Sequence, residues 1–220
     1  MPGTTHKHAA VMTAGDVQAF CHDAGFPLDD SQAQDLFSYL SLLQQWNAVM
    51  NLVGTRTMRD TLSSLVVDSF HLAAFLDGLS PAPAAADEIW DFGAGAGIPG
   101  IPLRIIWGKG QYWLVESRDK RAAFLATVLA HIPMTNTFVY HGRVETFMPG
   151  RKASLIVSRA FMPWKSILDL CGPALAAGGR CIFLSNDSIV PEAGSIWKRT
   201  AQSCYAVKGR MRYLSALARA

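Results

Sequence analysis

The chain has 220 residues, half of them hydrophobic and 17% charged, with a formal net charge of +3. These values fit one folded domain with a modest extension and exclude a disordered segment. The apolar stretches are too short and too interrupted to span a bilayer, and Met1–His8 has no hydrophobic leader region. A cytoplasmic protein without membrane contact is therefore expected. Cys21, Cys171, Cys181 and Cys204 form no Cys-x-x-Cys pair and no zinc spacing with histidine, so they read as reduced, mostly buried thiols, and no metal is expected. The six histidines are scattered, two of them (His6 and His8) in the tail, and none stands out as catalytic.

Charge is divided unevenly. Residues 1–91 hold three basic and eleven acidic side chains, and residues 92–220 hold seventeen basic and six acidic ones, so the two parts carry −8 and +11. Two readings stay open: a polyanion partner for the second part, or mutual neutralisation of the two parts.

The first eighty residues read as a helical extension. Thr13 with Asp16 three residues later predicts a capped short helix that Gly25 ends. Asp29, Asp30 and Ser31 cap a longer helix to about Met50, with Leu36, Leu40, Leu43 and Trp46 on one stripe. A third helix is predicted from about Asp60 to Leu76, followed by a Pro/Ala-rich linker over Gly78–Ala86. Residues 81–220 then read as an α/β domain. Strands are predicted at Glu88–Phe92, Gln111–Glu116, Thr137–Tyr140, Ala153–Val157 and Arg180–Leu184, and helices near Pro99–Trp107, Arg118–His131 and Trp164–Leu175. Repeated βα units imply a mostly parallel sheet with helices on both faces. Gln202–Val207 and Arg212–Leu217, flanking Lys208-Gly209-Arg210, predict a closing antiparallel hairpin.

The first strand runs into Gly93-Ala94-Gly95-Ala96-Gly97 and a helix start, where backbone can approach a nucleotide-like ligand at the carboxyl end of a sheet. A dinucleotide site favours Gly-x-Gly-x-x-Gly, and Asp91, two residues ahead of the first glycine, would repel a pyrophosphate. The same carboxylate suits the cationic amino acid end of S-adenosyl-L-methionine. Glu116, at the end of the second strand, is placed to accept from both ribose hydroxyls. Asp91, Gly93, Gly95, Gly97 and Glu116 are thus the candidate cofactor residues, and a dehydrogenase is the weakest reading.

The run from Trp46-Asn47 to about Leu184 resembles the GidB/RsmG family, the 16S ribosomal RNA guanine-N7 methyltransferases. The resemblance rests on Trp46-Asn47, Asn51-Leu52, Val67-Asp68-Ser69, Asp91 through Gly100-Ile101-Pro102-Leu103, Glu116-Ser117-Arg118-Asp119-Lys120-Arg121, Arg143-Val144-Glu145 and Ser158-Arg159-Ala160. It implies a Rossmann-like class I methyltransferase fold, S-adenosylmethionine as cofactor, and the small ribosomal subunit's 16S RNA as partner of a monomer. Its cofactor contacts fall on Gly93, Ile98, Val144, Glu145 and Arg159. Methylation at N7 needs no general base, so no catalytic residue is assigned. Arg118, Lys120, Arg121, Arg143 and Lys165 form the candidate RNA surface. Family members commonly carry Arg-His where this chain has Ser64-Leu65, and Lys-Gly where it has Ser185-Asn186. Those departures leave open a same-fold methyltransferase with another RNA or small-molecule substrate, or an inactive binding scaffold.

Overall fold

The computed structural model describes residues 12–220, so His6 and His8 lie outside the described residues. Helix α1 (Ala14–Asp23) opens on a reciprocal cap. Thr13 Oγ1 accepts from the Asp16 amide at 3.2 Å, and Asp16 accepts from the Thr13 amide at 2.8 Å. Asp29 and Gln32 repeat this device at α2 (Asp30–Met50). The expected stripe is buried at Leu36, Leu40 and Leu43, and Trp46 sits 5.5 Å from the Phe124 ring. Beyond α2, Asn47 donates to Thr55 O and accepts from the Val53 amide, clipping the Asn51–Thr57 loop.

The third helical stretch begins two residues earlier than expected because Thr57 caps it, accepting from the Asp60 amide at 3.1 Å. It comprises α3 (Met58–Thr61), a π turn over Leu62–Val66, and α4 (Val67–Asp77). The Gly78–Ala86 segment is no loose tether. Leu79 and Pro83 are buried, and Arg180 donates to the carbonyls of Ser80 and Pro81.

The sheet contains β1 (Glu88–Phe92), β2 (Gln111–Glu116), β3 (Thr137–His141), β4 (Ala153–Arg159), β5 (Leu175–Ser185), β6 (Trp197–Val207) and β7 (Arg210–Arg219), in the order β3-β2-β1-β4-β5-β7-β6. β1 to β5 are parallel, and β7 and β6 add antiparallel to that edge. The last five strands each extend beyond their predicted bounds, since ladder pairing continues past the apolar residues that signalled them. The last helical run is shorter, ending as α8 (Trp164–Cys171) before a single 3₁₀ turn. The closing turn needs left-handed backbone at both Lys208 and Gly209, as their φ values of 48° and 75° show.

Side-chain alternation sends neighbouring strand residues into two cores. Ile89, Leu114, Val157 and Ile182 share one with α1 to α4, α5 (Gly100–Ile106) and α6 (Asp119–His131). Trp90, Phe92, Ile156 and Cys181 share the other with α7 (Val144–Phe147) and α8. The first core runs across residue 80, so extension and sheet bury one another. Neutralisation accounts for part of the charge asymmetry. Asp60–Lys208, Asp68–Arg159, Asp68–Arg212, Asp77–Lys109 and Glu88–Arg151 each join an acid of the first 91 residues to a base of the remainder.

Candidate active site

Strand order reverses beside β1, which pairs with β2 on one side and β4 on the other. Ligands of open α/β sheets enter at such a point, beyond the carboxyl ends of the strands. There β1 delivers Gly93, Gly95 and Gly97 with φ of 70°, 60° and 79°, where a side chain is strained. Space adds to the requirement: a Cβ on Gly93 would stand 2.4 Å from Phe161, and one on Gly97 would stand 2.5 Å from Ile101.

The loop is held from three sides. The amides of Gly93 and Ala94 donate to Val115 O, and the Gly95 amide donates to Glu116 Oε2 at 2.9 Å. Tyr39, fully buried on α2, donates to Ala96 O at 2.7 Å. Glu116 Oε1 also accepts from the Arg118 amide at 2.9 Å, so one carboxylate braces both the glycine loop and the β2–α6 turn. Removing the phenol alone, as Tyr39→Phe, leaves a buried carbonyl without its donor. An expected loss of about 1–2 kcal/mol in urea unfolding follows, and a loss under 0.3 kcal/mol would show that the loop does not depend on the helical extension.

Glu116 lines a cleft of about 300 Å³ with Gly93, Arg118, Arg121, Arg143, Val144, Glu145 and Phe161. Of the sequence candidates, this gathers Gly93 of the glycine loop, Glu116, the Val144-Glu145 pair and three of the five basic residues. Among the described residues no ion pair engages Arg118, Lys120 or Arg121, whereas Arg143 pairs with Glu145 at 3.1 Å. Lys120 lies exposed in the first turn of α6, outside the cleft wall. Lys165 is separate, ion-paired with Glu192 in a groove between Trp164 and Trp197.

Five cofactor candidates stand outside this lining: Gly95 and Gly97, which continue the loop behind it, and Asp91, Ile98 and Arg159. Asp91 is 1% exposed beneath the loop, where Tyr112 donates to it at 3.1 Å and Gly100 packs against it. It does not line the cleft, so its charge does not directly face a ligand there. Ile98 is buried in the larger core because the turn into α5 directs it inward. Arg159 turns from the glycine loop to Asp68, with Nε 3.3 Å from Oδ2.

Burial pushes the Asp91 carboxyl up to about 7, against the lowering effect of the Tyr112 hydrogen bond. The folded state therefore keeps a proton that the unfolded chain releases near its ordinary value, and stability falls as pH rises from about 4 to about 7. The slope is on the order of 1.4 kcal/mol per pH unit. Asp91→Asn removes this slope. Urea midpoints from pH 4 to 8 should show the variant gaining on the wild type up to about pH 7, and parallel curves would mean that the carboxyl ionises normally.

A second cleft of about 410 Å³ opens beyond β4 and β5 and shares Ala160 and Met162 with the first. At its base Asp68, 2% exposed, accepts from Arg212 and from the Tyr205 hydroxyl at 2.9 Å and is ion-paired with Arg159. Burial, and then Asp68, push the Tyr205 phenol up. Trp164, Ser185 and Asn186 stand in the wall. Ser64, at the other altered position, donates to Asp60 O within the π turn, and Leu65 packs against the core. Tyr39, Tyr205 and Arg212 were not expected from sequence, and Asp68 had a motif but no role. Ser69 of the same motif donates to Pro99 O at 3.0 Å, tying α4 to the end of the glycine loop.

Comparison with known proteins agrees with this architecture. Among solved structures, MtNAS in complex with MTA and tNA aligns with a TM-score of 0.58 at 12% identity, over 95% of this chain and 82% of that one. The putative methyltransferase yhhF from Escherichia coli aligns with a TM-score of 0.51 at 17% identity, over 67% and 83%. These likenesses establish the Rossmann-like fold. A family model described as rRNA small subunit methyltransferase G matches residues 32–211. The chain is 49% identical over 203 residues to ribosomal RNA small subunit methyltransferase G of Nitratidesulfovibrio vulgaris (strain DP4), covering 92% of each. It is 48% identical to the protein of that name from Lawsonia intracellularis (strain PHE/MN1-00), covering 93% of this chain and 95% of the other. Matched over most of its length by the family model and by relatives at nearly half identity, the chain belongs to the GidB family of rRNA small subunit methyltransferases.

Proposed function

We propose that this chain transfers a methyl group from S-adenosylmethionine to N7 of a guanine in 16S ribosomal RNA. The observation that carries the reading is the abutment of two clefts at Ala160 and Met162, one built around a glycine loop and Glu116, the other around Asp68, Arg159 and Arg212. The first cleft fits the cofactor: a Cβ at Gly93 would crowd Phe161 in its wall, and Glu116 keeps acceptor capacity beyond its two amide partners. Asp91, Gly95, Gly97 and Ile98 support that site from behind, while Val144 and Glu145 border it.

When bound, S-adenosylmethionine supplies the electrophilic sulfonium methyl. The protein positions the acceptor. N7 of guanine carries an in-plane lone pair and no proton, so no general base is required. In the second cleft Asp68 accepts from Arg212 and Tyr205 and pairs with Arg159, which leaves Asp68 and Tyr205 as positioning groups. Trp164 offers an aromatic surface for an exposed base. Guanine becomes cationic on methylation, and Asp68 offsets part of the adjacent guanidinium charge. Rate enhancement then comes from orientation and preorganised electrostatics. Arg118, Lys120, Arg121 and Arg143 suit RNA phosphate beside the mouth.

We treat residues 1–80 as a helical extension of the methyltransferase domain 81–220, acting as a monomer in the cytoplasm. Among the described residues, no helix is long and apolar enough to cross a membrane. The test is methyl transfer to small ribosomal subunits lacking this modification, with the product mapped by nucleoside mass spectrometry. N7-methylguanosine in 16S RNA is expected. Ser185 and Asn186 in the second cleft favour one other reading, a different RNA target, which the same map would reveal as a methyl elsewhere. Absence of any RNA methylation would overturn both.

A further inference from the structure

Resting on that reading, we propose that the turn of the β6–β7 hairpin is a phosphate grip that seats the RNA strand over the second cleft. Strand register places it there. Ser185, the last residue of β5, pairs with Tyr213, so Arg210, Met211 and Arg212 run on past the end of the parallel sheet. Three residues of strand project about 10 Å. That is the edge on which both clefts open.

Facing and charge sharpen the placement. Arg210 and Arg212 are two apart on one strand and share a face. Arg212 lines the second cleft and holds Asp68, so Arg210 continues the same line outward. Lys208, at the turn, reaches Asp60 at 3.1 Å and fixes the tip toward the helical layer. Residues 197–220 contain six basic side chains and no acidic one. Among the described residues Arg210 is exposed and enters no ion pair. A rigid, β-paired arm with this charge suits the ribose–phosphate backbone, whose affinity is electrostatic and salt-dependent. It recognises no base. Its role is to hold the nucleotides flanking the target while the base enters beside Trp164.

The experiment compares Arg210→Glu and Lys208→Glu/Arg210→Glu with Lys198→Glu, in the full chain binding small ribosomal subunits at about 0.1 M salt. Lys198 is exposed on the same hairpin, ten residues from Lys208. That is about 33 Å along the strand, and roughly three Debye lengths. The double reversal should weaken binding tenfold or more and flatten the salt dependence. Arg210→Glu alone, which disturbs no ion pair, should weaken binding threefold or more. Lys198→Glu should remain within twofold of wild type, and all variants should keep wild-type affinity for S-adenosylmethionine by calorimetry. The proposal is overturned if Arg210→Glu binds within twofold of wild type, or if Lys198→Glu weakens binding equally, since net charge alone would then explain the effect. Because binding is read separately from methylation, an inactive wild type would count against the assigned reaction and not against the grip.

Discussion

Glu116→Ala is expected to raise the dissociation constant for S-adenosylmethionine about a hundredfold. The carboxylate is 5% exposed, and its two oxygens hold the amides of Gly95 and Arg118. Hydrogen bonds to a charged acceptor contribute about 1.5–3 kcal/mol each. Alanine removes the acceptors available to the ribose hydroxyls and leaves two amides unpartnered, so the loop that must present itself to the cofactor loses its brace. A loss of about 2.7 kcal/mol corresponds to the hundredfold change. Glu116→Gln keeps one acceptor oxygen and turns an amide N–H₂ toward a backbone donor, so an intermediate loss of about tenfold is expected. Calorimetric titration separates these outcomes. An alanine variant that binds within threefold of wild type would place the ribose away from this carboxylate.

Local signals made much of the architecture legible. The run Asp91–Gly97 reads directly because glycines at positive φ sit where a strand must turn into a helix, and Glu116 reads as the end of the next strand. Capping residues placed α1 and α2 for the same reason: Thr13 and Asp29 act on amides three residues away. What escaped was long-range. Asp68 meets Tyr205 and Arg212 across 137 and 144 residues, and nothing near Asp68 marks those partners. Asp91 looked like a ligand-facing charge because a strand end gives no hint of Tyr112 on the neighbouring strand or of Gly100 pressed against it. Ile98 flanks the loop, and an apolar residue there can turn to either side; here it joins the core. Lys165 read as an RNA contact, while Glu192, which neutralises it, lies in an irregular segment with no periodic signal.

Asp68→Ala is expected to destabilise the fold by about 3 kcal/mol, the low end of the range for breaking a buried ion pair. The side chains of Arg159 and Arg212 retain 24% and 20% exposure and can recover some hydration, which keeps the loss at that end. Without the carboxylate, two guanidiniums face one another across the base of the second cleft and the Tyr205 hydroxyl loses its acceptor. Such a loss is a large share of the roughly 5–15 kcal/mol by which domains are stable. It also unpins α4 from β4 and weakens its hold on the hairpin, where the stacking of His71 on Tyr205 remains. Asp68→Asn keeps an acceptor and the side-chain volume, so a smaller loss of about 1–2 kcal/mol is expected. The telling comparison is Asp68→Ala/Arg212→Met, which removes one of the stranded charges together with its partner. If repulsion and desolvation dominate, urea unfolding should show the double variant more stable than Asp68→Ala. If the double variant is less stable by the full cost of both changes, Asp68 acts through packing alone, and the cleft does not depend on charge balance.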